Sequence, residues 1–146
     1  MSASNAFETS LLGLIFNNSA ITGVGDAGGL LPSAGAGSLY VGLHTADPGE
    51  AGDQTTNEAG YTSYARVAVA RSGAGWTVAG NNASNAGAVT WPTATGGTET
   101  ITHFSIGTDL AGAGNLLFSG ALASSLAVST GIAPNANAGE IDVNAD

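Results

Sequence analysis

One stretch gathers most of the side chains that could do chemistry. In SLYVGLHTADPGEAGDQTTNEAGYTSYARVAVAR, residues 38–71, the residues His44, Asp47, Glu50, Asp53 and Glu58 crowd a polar loop between two strand-like segments. One imidazole with several carboxylates can hold a transition metal if the loop is rigid and outer partners orient the ligands. The spacing matches no metal framework, and DPGEAGD lacks the D-x-[DN]-x-[DN]-G order of a calcium loop. ADPGE reads more simply as a turn: Asp47 opens it, Pro48 sets φ and Gly49 takes the positive φ. The loop is therefore expected to be a long acidic connection whose carboxylates face solvent or a neighbour's arginine.

Other chemistries fare no better. GVGDAG, residues 23–28, fits G-x-G-x-x-G, but that motif binds a pyrophosphate only when a strand leads into it and a helix leaves it. Here a predicted helix precedes it and GLLPSAGAG follows. Ser, His and Asp all occur, yet no G-x-S-x-G elbow is present. Glycoside hydrolysis needs two facing carboxylates, and the acids lie mostly in loops or near the C-terminus. His103, in ITHFSIG, suits a hydrogen-bonded structural role. Trp76 and Trp91 could stack on sugars but fit a buried core better. Arg66 and Arg71 are the only fixed cations, and the planar fork of Arg suits pairing with carboxylates within the fold or across an interface. These readings assign no catalytic residue, no cofactor and no metal, and the chain is not expected to be an enzyme.

Composition narrows the partners. The chain has 146 residues, 11 carboxylates, no Lys and a formal charge of -9. Binding nucleic acid requires several cations on one face, which this chain cannot supply, and anionic membranes are disfavoured for the same reason. LLGLIF is far short of the roughly 20 apolar residues that span a bilayer, and no basic stretch at the N-terminus suggests a signal peptide. With no Cys there are no disulfides or thiolates. Only 9% of residues are charged. A surface of Gly, Ala, Ser, Thr and Asn loses its water at little cost, which favours permanent assembly.

The elements that must position these residues are mostly strands. Residues 5–17, NAFETSLLGLIFN, predict one helix with Phe7, Leu11, Leu14 and Ile15 on a stripe that Leu12 and Phe16 widen. Asn5 is its expected N-cap, with Glu8 completing a capping box. Residues 17–37 predict an extended Gly-rich arm that lies across a neighbour. Beyond it, Leu39, Val41 and Leu43 alternate with Tyr40, Gly42 and His44, the half-buried strand pattern. YARVAVAR, GWTVAG, GAVTWP, TETITHFSIG, GNLLFSGAL, SLAVST and GEIDVN follow in kind, with Thr102, Phe104 and Ile106 expected on one face and Ile101 and His103 on the other. About eight short strands broken by Gly, Asn and Pro predict an all-β, antiparallel sandwich or jelly-roll-like domain over 38–146, with residues 1–37 as helix and arm.

LYVGLHTADPGE, YTSYARVAVAR, GWTVAGNNASNAGAVTWPTATGG, TITHFSIGT and GAGNLLFSGAL, spanning residues 39–122, together resemble a family of small tailed-phage virion proteins. Its members are labelled either tail fibre proteins or head decoration (cement) proteins, and residues 1–37 are less typical of the pattern. The resemblance implies a β-structured protein bound to the particle in many copies, and brings no catalytic residues. On that basis the chain is expected to be a capsid decoration protein. It would form a homo-oligomer (dimer or trimer) on the capsid exterior of a virion assembled in the host cytoplasm, and would clamp the major capsid protein, with no nucleic-acid or membrane partner. The alternative is a tail fibre or receptor-binding component. Phe7, Leu11, Ile15 and Phe16 are the candidate docking residues and Arg66 and Arg71 the candidate pairing residues. The helix can dock in a partner's groove or cover one face of the sheets.

Overall fold

The computed structural model describes residues 2–145. One helix, α1 (Asn5–Asn17), is followed by β1 (Ser38–His44), β2 (Val67–Ala70), β3 (Trp76–Ala79), β4 (Asn82–Asn85), β5 (Val89–Thr90), β6 (Thr98–Gly107), β7 (Leu116–Ser129), β8 (Asn135–Ala136) and β9 (Asp142–Asn144). The architecture is all-β apart from α1, and β1–β6, β6–β7, β3–β4 and β4–β9 each pair antiparallel, as expected. The chain forms two compact units. The first comprises residues 1–38, 70–88 and 136–146; the second, residues 39–69 and 89–135. Residues 1–37 thus sit in one unit with two later segments.

In the first unit, α1 starts one residue earlier than the capping-box reading placed it. Ser4, not Asn5, is the N-cap: it is extended at φ -86°, and its Oγ accepts from the Phe7 N–H at 3.4 Å. Asn18 ends the helix in the left-handed region at φ 54°, its N–H returning to the Gly13 carbonyl. Glu8, Leu12 and Phe16, spaced i, i+4, i+8, form the buried face. Phe16 packs on Trp76 with ring centroids 4.8 Å apart. The three-stranded sheet β3-β4-β9 lies in this unit, its β3–β4 turn made by Gly80 (φ 63°) and Asn81. β4, sequence NASN, carries no strand signal and forms because both its neighbours pair with it. Buried Asn85 holds the C-terminal segment: its Nδ2 donates to the carbonyls of Gly87 (2.7 Å) and Asn137 (2.8 Å), and its Oδ1 accepts from Ile141 N–H at 2.9 Å.

The arm is not extended. Ile21 and Leu30 exchange two backbone hydrogen bonds of 2.9 Å, and the Asn18 carboxamide exchanges another pair with Ser33. A side chain that imitates a strand's backbone thus closes residues 18–33 into a folded-back loop.

The second unit is built on the four-stranded sheet β2-β1-β6-β7, apart from its terminal residues Ser38 and Ala70. Leu39, Val41, Leu43, Trp91, Ile101, Ile106 and Val128 are buried there. Ile101 and Ile106 are both fully buried, so β6 does not alternate between one core face and one open face. β6 is an interior strand, and such strands can bury both faces. GNLLFSGAL and SLAVST, read as two strands, are one: Ile101 pairs with Leu126 and His103 with Ala121, leaving Leu122–Ser125 opposite Thr102 as a wide irregularity within β7. β5 and β8 form a two-stranded sheet.

Candidate functional site

The His44–Glu58 loop closes on itself at its base, where His44 and Glu58 bridge. The Ala59 N–H reaches the Leu43 carbonyl at 2.8 Å, and the Thr45 N–H reaches the Asn57 carbonyl at 2.9 Å. ADPGE is the turn expected: the Asp47 carboxylate accepts from Gly49 N–H at 2.9 Å, and Gly49 lies at φ 71°. Asp53 accepts from the Thr55 N–H and hydroxyl, which holds its carboxyl below the usual range. Asp47 and Glu50 are exposed, and among the described residues no three His, Cys, Asp or Glu side chains converge on a metal-sized site.

His44 turns inward instead. Its Nδ1 lies 2.9 Å from the Thr56 carbonyl and its Nε2 2.7 Å from Ser105 Oγ. A carbonyl only accepts, so Nδ1 carries the proton and Nε2 accepts from the Ser105 hydroxyl. Burial pushes the imidazole's pKa down, against the opposing pull of the Thr56 carbonyl and Glu58, and keeps it neutral. The pair has the distances of a serine nucleophile and its base. The orienting group, however, is a carbonyl rather than a carboxylate, and both side chains are 0% exposed. The β1 backbone closes over them: a Cβ at Gly42 would come 2.9 Å from Ser105 Oγ. No room is left for a reacting carbonyl, and the arrangement is a polar tie inside the sheet.

A second tie joins this loop to the β6–β7 turn, residues 108–115. Arg66 meets Glu58 as a fork, Nε to Oε1 at 2.6 Å and Nη2 to Oε2 at 2.8 Å. Its Nη1 also donates to the Asp109 carbonyl and its Nη2 to the Gly112 carbonyl, each at 2.9 Å. Fully buried Gln54 donates to Asp109 O at 3.1 Å and accepts from Asp109 N–H at 3.0 Å, while its own N–H reaches Ala113 O at 2.9 Å. Gly107 and Gly114 leave the space that the Gln54 side chain fills. The Tyr64 hydroxyl accepts from Leu43 N–H at 3.0 Å and bonds Glu58, and burial raises its pKa. The acidic loop therefore works as a clasp on the hairpin that ends in β7.

The candidate residues fall in different settings. Arg66 pairs with a carboxylate within the fold, as one of the two expectations had it. Arg71 does not: its guanidinium donates to Leu14 O (2.6 Å) and Ile15 O (2.7 Å), the last-turn carbonyls of α1, and to Ser33 Oγ at 3.0 Å. Those carbonyls lack helical partners and sit at the negative end of the helix dipole, which explains the choice. Phe16 is wholly inside, Leu11 and Ile15 are half-buried, and Phe7 is 43% exposed. His103 bonds the Thr102 hydroxyl at 2.8 Å, and Trp76 and Trp91 are buried. GVGDAG forms the tip of the folded-back loop, where Asp26 itself accepts from the Gly28 and Gly29 N–H groups a phosphate would need. Gln54, Tyr64, Ser105 and Glu99, which accepts from Gly60 and Tyr61 N–H, were not singled out from sequence. Nothing in the spacing of lone polar residues 21 to 61 positions from the distant groups they bond marks them.

β7 offers something else. It is an edge strand of its sheet, and residues 110–139, which include all of it, contain no Asp, Glu, Lys, Arg or His. That blank in the charge pattern was legible in the sequence.

A family model described as "Podophage GP4 fiber I protein gp80" matches residues 2–144. The match takes in residues 2–37 as well as the phrases that carry the resemblance over 39–122. No curated protein matches the chain.

Proposed function

Because the chain belongs to the podophage GP4 fiber I protein family, a phage virion structural family, we propose that it is a fibre subunit of the phage tail that acts by assembly and catalyses nothing. The observation that carries this reading is the sealing of the His44–Ser105 nucleophile–base geometry inside the sheet. The other polar convergence, Arg66 with Glu58 and Gln54, is spent on holding a hairpin. The family's description supports the word fibre. Labelling the chain on intact particles and counting its copies tests the proposal: label at the tail in few copies is expected, and label spread over the head would overturn it.

Capsid decoration is the second reading, favoured by exposed apolar side chains in the first unit: Phe7, Val24, Leu30 and Leu31, the last 72% exposed. A cement protein clamping the major capsid protein would use such residues, and its copy number would approach that of the capsid subunits. Deleting residues 1–17 would strip Phe16 from Trp76 and confuse docking with unfolding. Phe7→Ser is the cleaner variant. On this reading it binds heads more weakly while its circular dichroism is unchanged; undiminished binding removes α1 from the contact.

A further inference from the structure

We propose that the His44–His103 pair is an acid-sensitive latch: protonation drives the loop 45–57 off the sheet and frees the 108–115 turn that the loop holds.

The two imidazoles of the chain are cross-strand partners. In the β1–β6 register His44 stands opposite His103. Such a pair has its Cβ atoms about 4.5–5.5 Å apart on one face of the sheet. The chain has no Lys and two Arg, and one of these, Arg66, acts on the same ring. Three of the few side chains that can be positive thus meet in a protein of charge -9. The charged and titratable groups felt by His44 are Glu58, Arg66 and His103. Tyr64 stands beside them and is neutral, since burial raises the pKa of its hydroxyl. From the β7 side, the residue opposite His103 is Ala121, which carries no charge. Glu58 is the carboxylate of the group, and the Arg66 fork already engages both its oxygens.

Imidazole changes charge between about pH 5 and 8. At neutral pH the site is balanced: Arg66 faces Glu58, and His44 is neutral between the Thr56 carbonyl and the Ser105 hydroxyl. In acid, three cations would share one carboxylate. A second cost is local. A proton on Nε2 deprives the Ser105 hydroxyl of its acceptor while Ser105 is shut away from water. Hydration relieves neither cost, because the His44 ring is itself wholly buried.

The weaker cover yields first. On one side His44 is fixed by the ladder that joins Tyr40–His44 to His103–Gly107. On the other lies the loop, tied to β1 at its base by the His44–Glu58 bridge and to the ring through Thr56. Loops open at lower free energy than paired strands. Lifting the loop lets water reach the imidazolium. It also withdraws Gln54 from Asp109 and Ala113, so the 108–115 turn keeps Arg66 but loses its other holder. The inference stands apart from the fibre reading, and its failure would leave that reading in place.

The test uses the full chain. Because it has no Cys, spin labels can be placed on Ala51→Cys in the loop and Ala111→Cys in the turn, both exposed sites. Their distance distribution is measured from about pH 7.5 to 5, beside far-ultraviolet circular dichroism. A longer-distance population should appear in acid while circular dichroism is unchanged. His103→Gln removes the facing imidazole and should shrink that population at pH 5. His103→Arg makes the facing charge permanent and should move the opening to higher pH. A merely structural His103 would not shift the two variants in opposite directions. An unchanged distance down to pH 5 overturns the proposal. So does a lengthening that coincides with loss of circular dichroism, or one of equal size and midpoint in both variants.

Discussion

His44 shows how burial redirects a reactive residue type. Its folded-state affinity for protons is depressed, chiefly by loss of water. As pH falls through the ordinary value near 6.5, the unfolded chain takes up the proton first. The stability His44 contributes is therefore complete above that pH and is lost as pH drops toward the lower folded-state value. Thermal melts from pH 8 to 5 should show this decline, and in His44→Gln the part of the slope below about pH 6.5 should vanish. Arg66 is the complementary case, a buried cation whose donors are divided between a carboxylate and two carbonyls. Arg66→Lys keeps the charge but not the fork, and Arg66→Met leaves Glu58 without its partner. The latter should cost about 3–5 kcal/mol in denaturant unfolding, with Lys recovering only a minor part. Equal stability of Arg66→Lys and wild type would show that charge alone matters there.

At the scale of elements, α1 is held by an aromatic contact and a cation at its C-terminus rather than by its own propensity. Phe16→Ala removes the ring from Trp76 and should destabilise the first unit by about 3–5 kcal/mol. Hydrogen exchange should then rise in α1 and β3 before it rises in β1 and β6; a uniform rise would mean that α1 does not unfold on its own. The helix was legible because thirteen residues of apolar periodicity marked it. Its buried face was misjudged by one position, because periodicity shows a stripe while the location of Trp76 decides its centre. β4 was invisible for a related reason: NASN has no β preference, and its strand exists only through β3 and β9.

For the whole molecule, the governing quantity is the contrast between a charge of -9 and an uncharged stretch of 110–139. If copies of the chain associate, their acidic surfaces oppose association through long-range repulsion, which salt screens over a Debye length of about 8 Å at physiological ionic strength. Raising NaCl from about 20 to 300 mM should then tighten self-association, seen as a lower dimer dissociation constant by sedimentation. Weakening with salt would instead point to ion pairs across the contact.

Composition and periodicity by themselves determined the all-β character, the N-terminal helix, the ADPGE turn and the exclusion of thiol chemistry, because these depend on residue types or on near neighbours in the chain. Tertiary structure alone decided that His44 would face Ser105, that Arg66 would clasp the 108–115 turn and Arg71 the end of α1, and that the arm would fold back. Those outcomes depend on which distant groups a side chain meets when water is withdrawn, and a buried hydrogen bond between residues 61 positions apart leaves no local mark.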